Sequence, residues 1–253
     1  MKTIQAIKAE LTASWGKERE QLLSLYRKDS RAGVQKLVGK FLREQQMLDA
    51  ERKRTEDMKA YERQYADRGL VCGIDEVGRG PLAGPVVAGA VILPMDEEIL
   101  YLNDSKRLSA KKREELYAVI MDKALAVGLG CVSPERIDEI NILQATYEAM
   151  RQAIDKLSCQ PGMLLNDAVT IPSVAIPQTP IIKGDAKSVS IAAASIVAKV
   201  TRDRMMVEYD QKFPEYGFAS NKGYGSAAHI AALRRYGPSP IHRRSFIGNF
   251  VGE

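Results

Sequence analysis

The stretch from Gly69 to Pro85 constrains this chain more than any other. It reads Gly-Leu-Val-Cys-Gly-Ile-Asp-Glu-Val-Gly-Arg-Gly-Pro-Leu-Ala-Gly-Pro. A short apolar run bounded by glycines, Gly69 to Ile74, predicts a buried strand. Two adjacent acids, Asp75 and Glu76, follow it directly. Side chains alternate across a strand, so neighbouring residues both reach one site only where the strand ends or bends. Gly73, Gly78 and Gly80 give the backbone freedom to bend there. In open α/β sheets, ligand sites commonly lie just beyond strand ends.

The rest of the chain supplies the sheet. Val86 to Leu93 predicts a second strand, stopped by Pro94, and Ala126 to Val132 a third. Between them a loop, Asn103 to Arg107, leads to a helix beginning near Ser109. Ser133-Pro134-Glu135 is a helix start, with Ser as cap, Pro at the first position and an acid in the first turn. A further helix covers Ala145 to Leu157. Two short apolar runs come next, Gly162 to Leu165 and Pro180 to Ile182, and the acids Asp167 and Asp185 close them. Residues 189–209 predict a long helix whose Ala-rich part, 192–198, offers a close-packing surface. A last helix, Ser226 to Tyr236, stops at Gly237-Pro238. Strands alternating with helices in this way predict an α/β fold, a mixed sheet with helices on both faces.

Residues 1–66 have a different texture, with no Pro and little Gly. Ile4, Ile7, Leu11 and Trp15 share one helical face, and so do Val34, Leu37, Val38, Phe41 and Leu42. Asp29, Ser30 and Gly33 mark a turn between the two stripes. The expected organisation is a small all-α appendage over 1–66 and a catalytic-type α/β domain over 67–253.

Charge follows the same division. Net charge is +5. The balance is +4 over residues 1–67, −3 over 68–198 and +4 over 199–253. Basic flanks around an acidic centre suit a protein that grips phosphates while carboxylates gather metal; a mildly basic protein with chance variation would look the same. The three cysteines, Cys72, Cys131 and Cys159, form no CxxC pair, which excludes a zinc knuckle or a disulfide framework. Thiols of this kind, with no apolar leader and no run of ~18 apolar residues, lead us to expect a cytoplasmic protein with no membrane segment.

If the strands that precede Asp75, Glu76, Asp167 and Asp185 are neighbours, four carboxylates converge at one end of the sheet. Such acids repel one another and stay ionised together when divalent cations bind between them. Oxygen-only ligands select Mg²⁺ or Mn²⁺ over zinc, and a pair of such ions hydrolyses a phosphodiester without a histidine base. Taken alone, Asp167 or Asp185 reads better as a helix cap or a loop acid.

Gly73-Ile74-Asp75-Glu76-Val77-Gly78-Arg79-Gly80-Pro81-Leu82-Ala83-Gly84-Pro85 resembles the first signature of ribonuclease HII. Asn103-Asp104-Ser105-Lys106-Arg107-Leu108-Ser109 resembles a second block of that family, and Lys183-Gly184-Asp185-Ala186-Lys187 with Ala192 to Asp203 a third. Asn221-Lys222-Gly223-Tyr224-Gly225 and Ile241-His242-Arg243-Arg244-Ser245-Phe246 resemble the last two. The resemblance implies a ribonuclease H-like fold, an Asp75-Glu76-Asp167-Asp185 site for Mn²⁺ or Mg²⁺, and a monomer. The expected substrates are RNA–DNA hybrids and duplex DNA with embedded ribonucleotides. Cutting would fall on the 5′ side of the ribonucleotide, giving 3′-hydroxyl and 5′-phosphate ends. Gly78, Arg79 and Gly80 would meet the ribonucleotide, Tyr224 would pack on the adjacent sugar, and Lys106, Lys187 and Lys222 would contact phosphates. Residues 1–66 are similar to the N-terminal extension of some bacterial members. Asp185, where the related ribonuclease HIII usually has Glu, favours the HII branch. Two positions depart from the family pattern: Arg107 stands for the commoner Lys, and Asn166 for an apolar residue before Asp167. A non-catalytic hybrid-binding module and a general structure-specific nuclease are the alternatives on the same fold.

Overall fold

The structure, a computed structural model, describes residues 1–251. The chain forms two compact units, the first Met1–Arg54 and the second from Thr55 onward.

The first unit contains α1 (Ile4–Ala13), α2 (Gly16–Tyr26) and most of α3 (Ala32–Asp57). The Thr3 hydroxyl caps α1 by accepting from the Ala6 amide. Ile7, Leu11, Leu23, Tyr26, Val34, Val38 and Phe41 form its core, so the helical stripes of the sequence do face inward. Ile4 and Trp15, at the ends of the first stripe, stay exposed.

The second unit is built on a five-stranded sheet of order β3-β2-β1-β4-β5. It begins with the short helix α4 (Ala60–Gln64). The strands are β1 (Val71–Val77), β2 (Val86–Ile92), β3 (Ala126–Val132), β4 (Met163–Asp167) and β5 (Gln178–Ile181). β1, β2 and β3 form an antiparallel meander, whereas β1–β4 and β4–β5 pair in parallel. The mixed sheet expected from the sequence is therefore present. One boundary differs: β1 does not stop at Ile74 but runs through both acids, because Asp75, Glu76 and Val77 still pair with Gly89, Ala88 and Val87 of β2.

Two long helices cover the sheet, α6 (Pro134–Asp155) and α7 (Val189–Lys212). Cys72, Ile74 and Leu164 pack with Ile137, Ala149 and Met150 of α6. On the other face Val91 packs with Ala192, Ala193, Ile196 and Val197 of α7. At residue 73 of β1 the α7 contact is closer than any side chain would permit. A Cβ on Gly73 would stand 2.0 Å from the Ser190 carbonyl carbon, so only glycine lets the helix lie directly on the strand. Asn141 breaks α6 with φ 66°. Its side chain recaps the second half by accepting from the Leu143 and Gln144 amides, consistent with the sequence placing two helices here.

The remaining helices are α5 (Ala110–Lys123), α8 (Phe218–Asn221), α9 (Ala227–Tyr236) and α10 (Arg244–Ile247). Ser109, Ser133, Ser188 and Ser226 cap α5, α6, α7 and α9 through their hydroxyls.

Candidate active site

Parallel pairing of β1 with β4 brings the first acids together. Ile74 stands opposite Asn166, so Asp75 and Asp167 are each the next residue along on neighbouring strands. They lie on the α7 side: Gly73 abuts Ser190 and Ile191, Val77 packs with Ala198, and the Ser195 hydroxyl between them favours the charged form of Asp75. Ser195 also reaches the Ser105 hydroxyl at 2.9 Å. Asp185 enters from the turn Gly184–Ala186 after β5. The Asp167 carboxylate accepts the Gly184 amide at 2.7 Å and pins that turn to β4.

The acids act on one another electrostatically. Burial, then the charges of Glu76 and Asp167, raise the Asp75 carboxyl well above the usual range. Burial and Asp167 raise Glu76 against the opposing pull of Arg79, whose guanidinium lies 3.5 Å away. Asp185 is pushed up to about 6 by burial, by Asp104 and by Asp167. Lys106 feels the same field from the other sign. Burial works against its charged form, but Asp75, Asp104 and Asp185 outweigh that and hold its pKa above the ordinary value. The four acids named from the sequence thus share one electrostatic neighbourhood with Lys106. Among the described residues, no three His, Cys, Asp or Glu side chains stand in a group that could grip a metal ion as placed. The carboxylates spend oxygens on protein donors instead, Asp75 on the Glu76 amide and Asp167 on the Gly184 amide. Their chemistry nonetheless fits a hard divalent cation: the donors are oxygen only, and burial with mutual repulsion destabilises their charges.

The glycine bend is held from beneath by two arginines. Gly78 has φ 93°, and a Cβ there would come within 2.3 Å of Arg202 Nε. Arg243 donates to the carbonyls of Gly78 (2.5 Å), Arg79 (2.9 Å) and Gly84 (3.0 and 2.8 Å). Arg202 donates to those of Pro85 (2.8 Å), Lys222 (2.9 Å) and Ala83 (3.1 Å). Both are fully buried. Burial, then Arg202, lowers the Arg243 pKa to about 9. Leu82 donates to the Gly223 carbonyl, which ties the bend to the loop that carries Tyr224. The exposed Tyr224 ring faces Gly80, its Cε1 3.9 Å from where a Cβ would stand.

Arg79, Gly80, Lys106 and Lys187 are exposed. Lys222 is partly buried, with φ 52° and its ammonium on the Ala219 carbonyl. Asn166 faces inward and is fully buried, its amide donating to Gln178 at 2.8 Å. Asp104, Ser195 and Arg202 were not singled out in the sequence, although each lies in a motif block quoted above. Their roles depend on contacts between blocks far apart in the chain.

The model of the family "Ribonuclease HII" matches residues 72–249, and that of "Ribonuclease HII N-terminal domain" matches residues 3–66. The chain belongs to the ribonuclease HII family. Ribonuclease HII of Lachnoclostridium phytofermentans is 69% identical over 89% of each chain. That of Bacillus anthracis is 53% identical over 90% of each. The crystal structure of the ribonuclease H2 from Pyrococcus horikoshii matches with a TM-score of 0.59 and 31% identity, covering 70% of this chain and 93% of that one. The fold is accordingly ribonuclease H-like, and the enzyme is an endoribonuclease of a family that acts on RNA–DNA hybrids. No helix among the described residues is long and apolar enough to cross a membrane.

Proposed function

We propose that Asp75, Glu76, Asp167 and Asp185 hold Mn²⁺ or Mg²⁺ and that this site cuts duplex DNA on the 5′ side of an embedded ribonucleotide. The observation that supports this reading is the parallel register that sets Asp75 beside Asp167, with the Asp167 carboxylate accepting the amide of Gly184 in the turn that carries Asp185. Bound there, divalent cations supply an activated water and charge stabilisation on the phosphate. The chain's own residues do the rest. The carboxylates fix where cations sit, Lys106 offsets negative charge at the rim, and the exposed Lys187 meets the backbone phosphate beyond. Lys222 contacts the strand on the other side of the bend.

The glycine bend reads the ribonucleotide. Arg243 draws the Gly78 and Arg79 carbonyls inward, which leaves the outer edge of Gly78-Arg79-Gly80 to approach a 2′-hydroxyl. Tyr224, opposite Gly80, packs on the neighbouring sugar and favours a deoxyribose there. Residues 1–66 act as an appendage that aids substrate grip, its last part from Thr55 belonging to the second compact unit, residues 67–253 act as the catalytic domain, and the enzyme works as a cytoplasmic monomer. Family patterns that meet between residues 66 and 72 support this division.

The test is a duplex with one embedded ribonucleotide. A single nick 5′ of it, dependent on Mn²⁺ or Mg²⁺ and blocked by EDTA, is expected. Equal cutting of all-DNA duplexes would contradict the reading, and so would binding without any nick.

A further inference from the structure

Two histidines lie fully buried behind the Tyr224 loop, and neither touches the carboxylates. His229 belongs to α9 and His242 to the segment before α10. Their Nε2 atoms are 3.0 Å apart, so one must donate and the other accept. Both ends of the pair decide which. The Ser239 amide can only donate, and it points at His242 Nδ1 at 3.0 Å. His242 Nδ1 therefore accepts, and a neutral ring then carries its proton on Nε2. At the other end His229 Nδ1 faces the Tyr224 carbonyl at 2.8 Å. A carbonyl can only accept, so His229 carries its proton on Nδ1 and its Nε2 is free to accept from His242. The two independent ends demand the same pair of tautomers. Aromatic rings close the pair in: Tyr216 lies 4.9 Å from His242 and Phe218 5.3 Å from His229, centroid to centroid.

We propose that His242 and His229 form a fixed-tautomer relay, running from the Ser239 amide to the Tyr224 carbonyl, that positions Tyr224 for junction recognition. His229 and His242 are positioning residues; neither meets the substrate. The residues before Tyr224 are held by Leu82 on the Gly223 carbonyl and Arg202 on the Lys222 carbonyl, whereas His229 is the side chain that bonds Tyr224's own backbone. The Tyr224 amide donates to Asn221, and the Ser226 amide shares the same Tyr224 carbonyl. This role rests on Tyr224 reading the sugar beside the ribonucleotide, as argued above.

The first test is ¹⁵N imidazole NMR of the intact enzyme. It should show the Nδ1–H form for His229 and the Nε2–H form for His242; the opposite tautomer at either ring overturns the relay. The second measures one ratio, kcat/KM on a single embedded ribonucleotide over kcat/KM on a uniform RNA–DNA hybrid. H229L leaves the Tyr224 carbonyl to the Ser226 amide alone and the His242 Nε2–H without an acceptor, and should lower this ratio about 10-fold. H229N, whose amide still reaches the Tyr224 carbonyl, should restore most of it. H229L should lower it no further in a Y224A background. An additive double variant, or no rescue by Asn, overturns the relay. If Y224A lowers the ratio and H229L does not, the relay alone falls. If Y224A leaves the ratio unchanged, the reading of Tyr224 falls and the relay's role with it. Should H229L fail to fold, H242Q against H242L repeats the comparison at the other ring, with Gln retaining the donor and the ratio.

Discussion

The carboxylates at the strand ends and the guanidiniums beneath the glycine bend are both buried charges, and the fold handles them in opposite ways. Arg202 and Arg243 are fully enclosed, yet their hydrogen bonds all go to backbone carbonyls. They are satisfied as they stand, and what they hold is loop shape. Asp75, Glu76 and Asp185 are destabilised as charges by burial and by neighbouring carboxylates, Asp167 among them in each case. In the proposed function a divalent cation completes them. A buried charge whose donors all have partners is structural; a buried cluster of like charges marks a functional site.

Breaking the acidic side should have the largest effect on chemistry and the least on folding. Asp75→Asn is expected to reduce cleavage by ~10³-fold or more, since it removes a ligand that places charge on the phosphate. Duplex affinity should hold or rise, because repulsion towards phosphate falls. Single-turnover assays and binding at fixed salt measure the two separately; retained cleavage would remove Asp75 from its assigned role.

The basic side should respond the other way. Arg243→Met strands the Gly78, Arg79 and Gly84 carbonyls and should cost about 3–5 kcal/mol of stability, read by urea denaturation. Arg243→Lys keeps the charge but not the forked geometry and should recover only part of it. Unchanged stability in both would show that the bend holds itself.

These two regions were unequally legible in the sequence. Asp75-Glu76 stood out because an apolar strand and glycines frame them, and the parallel register then placed Asp167 beside them. Asp185 was marked by the apolar run before it and by a motif block, but β5 ends at Ile181 and a turn rather than the strand end delivers it. Arg202 sits in a helical pattern and reads as one basic residue among many. Nothing local says that it points inward to carbonyls of residues 83, 85 and 222. The continuation of β1 through both acids was missed for a similar reason: pairing with β2 holds the strand extended where the glycines had implied an end.

The histidine pair adds a third buried system, neutral and therefore sensitive to acid. His242 is lowered to about 4 by burial and by His229, and His229 is lowered by burial. A buried neutral His binds its proton more weakly than the unfolded chain does, so stability rises with pH between the two values. The stability His242 contributes is complete above about 6.5 and lost as pH falls towards 4, a change of about 3 kcal/mol. Denaturation across that window should lose most of this slope in His242→Gln; an unchanged slope would assign it to other groups.

The smallest effect is expected at Asn166. Its amide has one partner, Gln178, and its oxygen has none. Asn166→Val should change stability by ~1 kcal/mol or less and leave cleavage intact. A large loss of cleavage would give the residue a part in aiming Asp167.

The central claim is that the buried acids are completed by a divalent cation, and calorimetric titration of Mn²⁺ into the whole chain tests it most directly. Binding to the wild type, with affinity reduced at least ~10-fold in Asp75→Asn and in Asp185→Asn, is the expected result. Identical isotherms for all three proteins would contradict it.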